Sequence, residues 1–446
     1  MMFVILGATG DLTKKKLIPS IYNLILKGKV KQISIVGVSF EQAEAEAVLN
    51  RSKKYIKNID SKIWNKLKKN FYYYQADFYD QKKFAGLGKF VKSIEKNKSQ
   101  RIFYLATLPQ HFKVVADNLA KCKLVKKDSR VVFEKPFGHN LKSAKEINRC
   151  IKKVFTEKQI YRIDHYLGKE LIQNIAVARF TNTILEPLWS NKYVDHIQII
   201  LSEDVGIEER GAFYDKYGVI RDVVQNHMMQ MLSLSTMESP KKLTGDYIRD
   251  EKVKILKKVK VKGKATVGQY IGYTNEKKIP KNSKTETFAA LKLEIDNPRW
   301  KGVPFYLIAG KKMKDKITSI YVQFKESPCL LFTGVCNFMP NYLVIQIQPQ
   351  EGFYIQMNAK VPGKTDIKAV KLDFCHECTF GPNSPEAYEN LFMDVIKGDQ
   401  SSFVRTDEIE QQWKIVDSIK KGKLIKYKIG THPKEADKIN WHLQVK

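Results

Sequence analysis

The sequence contains little cysteine, and its acidic residues are far outnumbered by basic ones. Six cysteines among 446 residues are too few for the disulfide framework that holds small secreted domains together. The one cluster with metal-like spacing, Cys375-His376-Glu377-Cys378, lacks the second pair of ligands that a structural zinc site needs. We therefore expect free thiols at these positions and no bound metal.

A run of residues apolar enough to cross a membrane is also lacking. The longest uncharged stretch with apolar character, residues 327–350, contains three prolines, whereas a membrane helix needs about 20 consecutive apolar residues. The apolar residues 1–8 have no basic region before them, so a secretory signal is a poor interpretation. We expect a cytoplasmic protein.

The charge balance is strongly basic, with 78 Lys and Arg against 47 Asp and Glu and a net charge of +31. Such an excess attracts anions and can bind nucleic acid without sequence preference. The lysines are scattered through every segment, however, and there is no zinc-finger spacing, RRM signature or arginine-rich tail. We interpret the charge as a general bias of the composition toward lysine, and we expect no specific nucleic-acid partner.

In the first third of the chain, short apolar segments alternate with helix-length, lysine-rich segments. This pattern predicts βαβ units with a parallel sheet. The predicted strands are residues 3–6, 33–38, 71–75, 102–106 and 130–133. The fold class expected for residues 1–165 is therefore an α/β domain.

Beyond residue 165 many strand-like segments follow one another without helices between them. This order predicts a large, mainly antiparallel sheet in an α+β domain over residues 166–446. The predicted strands are residues 197–201, 289–295, 304–309, 317–324, 342–348 and 353–358, and the predicted helices lie within residues 171–188, 219–237 and 384–421.

Two motifs follow predicted strands of the first domain. Gly7-Ala8-Thr9-Gly10-Asp11-Leu12 lies between the first strand and the first helix, where glycines let backbone N–H groups approach a pyrophosphate. Any strand-to-helix turn can use glycine, so this partial motif is weak by itself. Glu134-Lys135-Pro136-Phe137-Gly138 follows the fifth strand. Lys135 could reach a nicotinamide and a substrate hydroxyl there, although a simple Pro-Gly turn is the alternative.

The densest cluster of polar residues is Arg162-Ile163-Asp164-His165-Tyr166-Leu167-Gly168-Lys169. If this segment enters a helix, His165 and Lys169 share a face, where they and the Tyr166 hydroxyl could converge on a phosphate. Asp164 would then point toward a different partner. The alternative is a charged helix that joins two domains.

His227 lies on an apolar stripe of the predicted helix at residues 219–237. A single histidine in such a position is usually a satisfied core residue. The unassigned Asp164 suggests a second possibility, because a carboxylate on Nδ1 fixes the imidazole tautomer and leaves Nε2 as a base near neutral pH. This pairing is a hypothesis about space that sequence distance does not establish.

Taken together, these motifs resemble the glucose-6-phosphate dehydrogenase family. Their order and approximate spacing match that family across GATGDLTKKKL, EKPFG, RIDHYLGKE, LSED, EERGAFYDKYGVIRDVVQNHMMQML and IAGKKMKDKI. The resemblance implies a Rossmann-like dinucleotide-binding domain over residues 1–165 and a substrate-binding and oligomerisation domain over residues 166–446. It also implies oxidation of glucose 6-phosphate at C1 to 6-phosphogluconolactone, the entry to the oxidative pentose phosphate pathway.

The resemblance further implies a role for each candidate residue. His227 would accept the C1 hydroxyl proton, and Asp164 would orient it. The residues implied to hold the 6-phosphate are His165, Tyr166, Lys169 and Lys316. Those implied to bind the sugar or order the site are Lys135, Glu203, Asp222, Lys311 and Gln348, with Lys16 close by. Those implied to bind the cofactor are Gly7, Thr9, Gly10, Asp11, Leu12, Ser39, Phe40 and Lys135.

One position departs from the family pattern. Phe40 stands where the family generally has an arginine that stacks on adenine and pairs with the 2′-phosphate of NADP. Phenylalanine keeps the stacking surface but pairs no phosphate, and Glu41 would repel one. We therefore expect a weakened preference for NADP and appreciable use of NAD. The resemblance also suggests a homodimer or homotetramer formed through the second-domain sheet.

Two other functions stay open from the sequence. An oxidoreductase acting on a non-phosphorylated sugar would have no use for His165 and Lys169. A non-catalytic basic binding protein on a dehydrogenase scaffold would have no reason to retain His227, Asp164 and Lys135 together.

Overall fold

The structure is a computed structural model that describes residues 1–95, 99–327, 339–364, 366–381 and 386–433. The chain forms two compact units. The first contains Met1–Lys169, Lys242–Arg249 and Pro385–Glu410, and the second contains Glu170–Lys241, Asp250–Ser384 and Gln411–Lys446. The expected division after residue 165 stays a prediction about domains, and the structure adds that two later segments pack within the first unit.

The first unit is built on a six-stranded sheet in which every neighbouring pair is parallel. Its strand order is β3-β2-β1-β4-β5-β6, so the order reverses between β1 and β4, the position where such sheets bind ligands beyond their carboxyl ends. The strands are β1 (Met2–Leu6), β2 (Ser34–Ser39), β3 (Phe71–Gln75), β4 (Arg101–Leu105), β5 (Arg130–Glu134) and β6 (Ile160–Ile163).

Continuous apolar runs produce the central strands of this sheet. Every residue of β1 and β4 is buried, as expected for strands covered on both faces by helices. The helices that precede β6 are α1 (Ile18–Leu26), α2 (Ala45–Asn50), α3 (Ser61–Lys69), α4 (Gln81–Ile94), α5 (Phe112–Lys121) and α6 (Leu141–Lys152).

The late helix α12 (Ala387–Lys397) completes the core of the first unit. Its Phe392 ring packs against Phe3 of β1, with ring centroids 5.4 Å apart. Its buried Glu389 accepts hydrogen bonds from Asn23 at 2.9 Å and from Lys27 at 2.6 Å. A helix that lies far away in the sequence therefore completes the core around the parallel sheet.

The second unit is built on a nine-stranded mixed sheet in the order β14-β13-β12-β11-β7-β10-β9-β8-β15. Six neighbouring pairs are antiparallel, whereas β7 with β10 and β8 with β15 are parallel. The strands are β7 (Val194–Ser202), β8 (Val259–Tyr270), β9 (Phe288–Ile295), β10 (Pro304–Gly310), β11 (Ile317–Phe324), β12 (Tyr342–Gln348), β13 (Gly352–Lys360), β14 (Ile367–Cys375) and β15 (Lys421–Tyr427).

A buried helical segment crosses the interior of this unit. Every residue of the helix Met229–Thr236 is buried, and two fully buried tryptophans donate to its carbonyl oxygens. Trp189 Nε1 donates to Ser235 at 2.6 Å, and Trp300 Nε1 donates to Thr236 at 2.8 Å, so the polar ends of these rings are satisfied. The remaining helices of the described chain are α7 (Glu170–Thr181), α8 (Gly211–Val219), α9 (Met229–Thr236), α10 (Gly245–Leu256), α11 (His376–Phe380) and α13 (Thr406–Asp417), of which α10 and α13 have residues in both units.

The predicted fold class is confirmed in both parts, a parallel α/β sheet followed by a large, mainly antiparallel sheet. The eleven predicted strands are all present, with ends shifted by at most three residues. Sequence reasoning missed four strands. One is β6, whose last two residues begin the RIDHYLGK segment. The others are β8, β14 and β15, whose lysine-rich outer faces weaken the apolar pattern.

The expectation for cysteine is wrong at one pair. Cys375 and Cys378 form a disulfide, because the end of β14 and the first turn of α11 bring their Cα atoms to 5.2 Å, within the range for such a bond. Cys122 and Cys150 are free thiols, as expected. Cys329 and Cys336 lie outside the described residues.

Within the described part of the chain, no helix combines the length and apolar character needed to cross a membrane.

Candidate active site

In the glycine turn after β1, the backbone passes very close to the backbone that follows β4. Gly7 has φ of +103°, and a Cβ atom there would lie 2.4 Å from the carbonyl oxygen of Ala106, just beyond β4. The Thr13 hydroxyl donates to the Gly7 carbonyl at 2.9 Å, and the Gly10 N–H donates to the same oxygen at 3.1 Å. Only glycine fits at position 7, and the turn lies at the point of strand-order reversal where a pyrophosphate would approach the backbone.

The other residues of this motif lie at the start of the first helical segment. Asp11 is exposed and forms ion pairs with Lys14 and Lys15, whose hydrogen bonds lower the pKa of its carboxyl to about 2. Leu12 packs against the core of the unit. Lys16 is exposed and pairs with Glu386 at 3.1 Å. The sequence interpretation of a strand, turn and helix is confirmed here.

The end of β2 lies beside the same turn. The hydroxyl of Ser39 is 2.9 Å from the hydroxyl of Thr9, so two of the predicted cofactor residues are neighbours. Phe40 is 75% exposed, which leaves its ring free to cover a flat ligand. Arg51 forms a two-fold hydrogen-bonded pair with Glu41, at 2.6 and 3.1 Å, and this pairing lowers the pKa of Glu41.

A partly buried carboxyl group lies directly before Lys135 at the end of β5. Glu134 accepts hydrogen bonds from the Tyr104 hydroxyl at 2.5 Å and from the Tyr388 hydroxyl at 3.1 Å. Burial raises the pKa of Glu134 to about 7, and the neighbouring charge of Asp164 adds to the rise. The hydrogen bonds and Lys135 act in the opposite direction, but burial has the larger effect.

Sequence reasoning missed this carboxyl group. The only local signal was the position of Glu134 inside the EKPFG motif, and nothing marked Tyr388 as its partner 254 residues away. The group titrates near neutral pH in the part of the unit where Lys135 and Asp164 lie, so its charge is an electrostatic influence on both.

The segment after β6 is a short 3-10 helix over His165–Gly168 rather than an α-helix. The prediction that His165 and Lys169 share one face of a helix, four residues apart, is therefore wrong. The side chains nevertheless meet at Tyr166, because the His165 ring lies 5.0 Å from the Tyr166 ring and the Lys169 Nζ lies 4.6 Å from it. The three groups predicted to hold a phosphate form one cluster.

Asp164 is the N-cap residue of this 3-10 helix. It is 1% exposed, and its Oδ1 accepts the Tyr166 N–H at 3.0 Å. The opposite side of the turn packs tightly, since a Cβ on Gly168 would lie 2.5 Å from the carbonyl oxygen of Ala387 in α12. The hydrogen bond orients the Asp164 carboxyl, and the close packing holds the end of the turn against α12.

In the second unit, His227 lies in a π-helical segment over Ile220–Met228 and is 3% exposed. The segment follows Gly218, whose φ is +65° and whose Cβ would lie 2.5 Å from a carboxyl oxygen of Glu286. Asp222 lies in the same π-helical segment and is also buried. Such segments inside helices occur frequently at functional sites, because they change the direction in which side chains point.

Four predicted substrate residues lie at one edge of the nine-stranded sheet. Glu203 and Lys311 directly follow the parallel strands β7 and β10, and their side chains pair at 2.6 Å. Lys311 is 2% exposed. Lys316 directly precedes β11, whose first residue pairs with Ser202 at the end of β7. Gln348 ends β12, and its side chain accepts the Thr318 hydroxyl at 3.3 Å.

Each unit therefore presents a distinct chemistry. The first combines a glycine turn, paired hydroxyls and an exposed aromatic ring with a cluster of His165, Tyr166 and Lys169. The second combines a buried imidazole with lysine, carboxylate and amide groups at a sheet edge. Such a set can bind a dinucleotide, grip a phosphate and accept a proton.

Comparisons with known proteins decide the family. Residues 4–174 match the model described as "Glucose-6-phosphate dehydrogenase, NAD binding domain", and residues 176–443 match "Glucose-6-phosphate dehydrogenase, C-terminal domain". The chain belongs to the glucose-6-phosphate dehydrogenase family. The family expected from the motifs is confirmed, and with it the expectation of an oxidoreductase that has a nicotinamide dinucleotide-binding domain.

Curated relatives of the family match along most of their length. Glucose-6-phosphate 1-dehydrogenase of Bacillus subtilis is 43% identical over 442 residues, covering 94% of this chain and 90% of that protein. The enzyme of Chlamydia pneumoniae is 42% identical over 451 residues, covering 93% and 88%. Arabidopsis thaliana glucose-6-phosphate 1-dehydrogenase 6, cytoplasmic, is 39% identical over 468 residues, covering 98% and 90%.

Solved structures of the family have the same fold. A glucose-6-phosphate dehydrogenase in complex with its substrate glucose-6-phosphate matches with a TM-score of 0.91 and 33% identity, covering 97% of this chain and 95% of that one. The enzyme of Mycobacterium avium matches with the same score and identity, covering 100% and 98%.

Proposed function

We propose that this chain oxidises the C1 hydroxyl of glucose 6-phosphate to 6-phosphogluconolactone and transfers the hydride to a nicotinamide dinucleotide. The observation that carries the proposal is the match, over 97% of the chain, to a family member solved with glucose-6-phosphate. The His165, Tyr166 and Lys169 cluster supports a phosphorylated rather than a neutral sugar. We place the reaction in the cytoplasm, as in the relative named for that location.

In this proposal His227 accepts the C1 hydroxyl proton as the hydride leaves C1. A positioned imidazole contributes on the order of 10² to 10⁴ in rate to such a step. Asp164 orients the imidazole and stabilises its protonated form.

The phosphate cluster supplies binding energy at the far end of the substrate. Lys169 and His165 flank the Tyr166 ring and would hold the 6-phosphate, with Lys316 as a further cation. Glu203, Lys311, Asp222, Lys135 and Gln348 would bind the sugar hydroxyls or order the site. Energy gained at the phosphate fixes C1 against the hydride acceptor.

The residues at the end of β1 and β2 fit a nicotinamide dinucleotide, which supplies the hydride acceptor when bound. Gly7 is the position where a Cβ would obstruct the backbone crossing, and Thr9 and Ser39 present adjacent hydroxyls. Gly10, Asp11 and Leu12 complete the turn, and Lys135 would approach the nicotinamide.

We further propose that the chain uses NAD appreciably as well as NADP. Phe40 is exposed for stacking but binds no phosphate, and Arg51 is already engaged with Glu41. For Arg51 to pair with a 2′-phosphate, it would have to release Glu41, which then would repel that phosphate. The weakened NADP preference follows from this arrangement.

Purified protein tests both proposals with the near-ultraviolet absorbance of the reduced cofactor. Glucose 6-phosphate should give reduction of NADP and of NAD, while free glucose should give far less. Values of kcat/KM for the two cofactors should differ by well under a thousandfold, and Phe40→Arg should shift the ratio toward NADP. A larger NADP preference in the wild type would contradict the cofactor proposal, and no reduction of either cofactor would contradict the activity.

We also propose that the chain assembles through the second-unit sheet as a homodimer or homotetramer. One sheet face carries a row of aromatic rings, with Tyr321 and Tyr342 5.0 Å apart, Tyr342 and Tyr354 6.1 Å apart, and His196 5.9 Å from Tyr306. Aromatic residues are enriched in protein interfaces. Light scattering during gel filtration should give at least twice the chain mass, and a mass of one chain at micromolar concentration would refute assembly.

A further inference from the structure

The disulfide between Cys375 and Cys378 lies at the surface of the second unit. Cys375 ends β14 and is partly buried, whereas Cys378 lies in the short exposed helix α11. Only two residues separate the cysteines, so the bond closes a very small loop and constrains the unfolded chain little. Because the bond is at the surface and closes so small a loop, it contributes little to the stability of the fold.

The environment of the two sulfur atoms is unequal. The backbone N–H of Cys378 donates to the Sγ atom of Cys375 at 3.1 Å. A hydrogen bond of this kind stabilises a thiolate, which makes Cys375 the better leaving group in thiol exchange. The exposed residue Cys378 is therefore the sulfur that an external thiolate would attack.

The disulfide is linked to a predicted substrate residue through adjacent backbone. Cys375 pairs in register with Gly352 at the start of β13, and the N–H of His376 donates to the carbonyl oxygen of Glu351 at 2.9 Å. A Cβ on Gly352 would lie 2.2 Å from the Phe374 carbonyl oxygen, so the two strands are in close contact here. The turn that contains Glu351 begins at Gln348, which we propose binds the sugar.

We propose that Cys375 and Cys378 form a reversible redox pair that sets substrate affinity through the Gln348–Glu351 turn. The inference rests on the proposed function of Gln348. With the disulfide formed, the first turn of α11 is tied to the end of β14, and the contact between His376 and Glu351 holds the turn in place. Reduction releases α11 and loosens that contact.

The chemistry of the switch is an ordinary exchange with a dithiol. A thiolate of the dithiol attacks Sγ of Cys378, the bond between the two cysteines breaks, and Cys375 leaves as a thiolate that takes up a proton. The second thiol of the dithiol then displaces Cys378, which also becomes a thiol. Two electrons pass from the dithiol, which ends as a disulfide, and glutathione disulfide can drive the reverse reaction.

The redox state is tested on the full-length wild-type chain by differential alkylation and peptide mass spectrometry. Protein is equilibrated with dithiothreitol, or with glutathione buffers of graded reduced-to-oxidised ratio. The peptide with Cys375 and Cys378 should convert from disulfide to dithiol and back within the glutathione series, while Cys122 and Cys150 should not pair. A peptide that remains a disulfide in dithiothreitol, or that is never re-oxidised, would overturn the redox pair.

The coupling is tested by the Kd for glucose 6-phosphate, from calorimetry, and by KM. Reduced protein and Cys375→Ser/Cys378→Ser should both bind the substrate about fivefold or more weakly than oxidised protein, the lower range for coupled sites, with KM for the cofactor unchanged. Cys122→Ser/Cys150→Ser should respond to reduction like the wild type. Equal substrate affinity in the two redox states would overturn the coupling.

The same measurements separate this inference from the proposed activity. If the chain binds glucose 6-phosphate in a redox-dependent way but reduces no cofactor, the activity fails and the switch stands. If it binds no glucose 6-phosphate in either state, the coupling and the proposed substrate fail together, while alkylation still decides the redox pair.

Discussion

The two units of this chain gather their candidate site residues by different routes. In the first unit the residues directly follow parallel strands, with Gly7 after β1, Ser39 at the end of β2, Lys135 after β5 and Asp164 after β6. In the second unit they lie at both starts and ends of strands, as Lys316 precedes β11 and Gln348 ends β12. Parallel strands place every carboxyl end at one edge, whereas an antiparallel sheet joins the end of one strand to the start of the next.

This difference explains which residues a short motif can reveal. A parallel sheet needs only a strand followed by a polar turn, so each motif of the first unit carries its own signal. The pairing of Glu203 with Lys311 instead depends on β7 and β10 being parallel neighbours, although Glu203 and Lys311 are 108 positions apart in the sequence. Tests that alter one unit at a time show whether its residues have the separate roles proposed.

The largest effect is expected from His227→Asn in the second unit. Loss of the proton acceptor should lower kcat by about 10²- to 10⁴-fold. The Kd for glucose 6-phosphate should change little, because other residues are proposed to hold the phosphate. Steady-state kinetics and calorimetry check the two quantities. An unaltered kcat would remove His227 as the base and would leave the second unit with binding residues only.

The next effect is on stability and concerns Glu134 in the first unit. Its pKa is about 7 in the folded chain against 4.5 as the reference value, so the folded chain holds the proton more tightly. The stabilisation from this protonated group is present below about pH 4.5 and is lost as pH rises through about 7. Glu134→Gln should remove a pH-dependent change in the free energy of unfolding on the order of 3 kcal/mol.

Denaturant unfolding of both proteins between about pH 5 and pH 8 measures that difference. The exposed carboxyl of Glu146 provides the matched control, and Glu146→Gln should retain the wild-type dependence. Identical pH profiles for the wild type and Glu134→Gln would show that the carboxyl near Lys135 and Asp164 does not hold its proton to neutral pH.

Lys169→Ala tests the phosphate cluster of the first unit. Removal of one charge-assisted contact should raise the Kd for glucose 6-phosphate by about 10- to 100-fold, with binding of free glucose unchanged. Lys145→Ala, at an exposed lysine of α6, is the control for loss of one positive charge. Equal weakening for both sugars would contradict the phosphate assignment.

The smallest effect is expected for the ion pair of the second unit. Lys311→Met leaves Glu203 without its partner at 2.6 Å and should lower the free energy of unfolding by about 1 to 2 kcal/mol, less than for a fully buried pair because Glu203 is partly exposed. Lys311→Met/Glu203→Gln should recover part of the loss. Equal stabilities for Lys311→Met and the double variant would show that the unpaired carboxylate of Glu203 has no cost.

The success of sequence reasoning also differed between the units. Apolar runs predicted β1 and β4 because parallel strands that are buried on both faces have few polar residues. The glycine at position 7 was recognisable because the close backbone crossing excludes a side chain there. The helix geometry expected for His165 and Lys169 was wrong, because β6 and a 3-10 helix replaced it. The hydrogen bond between Glu134 and Tyr388 depends on where α12 packs, which the spacing of residues in the sequence does not show. The disulfide, in a cluster expected to hold free thiols, likewise depends on how α11 follows β14.

By itself, the sequence determined the order of most strands, the glycine turn and the identity of the groups able to bind phosphate or accept a proton. These properties are local, since they depend on periodicity, on the absence of a side chain or on the chemistry of one residue. Tertiary structure decided the proton affinity of Glu134, the partner of Lys311 and the register that joins Cys375 to Gly352. Those properties depend on burial and on neighbours far away in the chain, because removal from water and short distances determine electrostatic and hydrogen-bond energies.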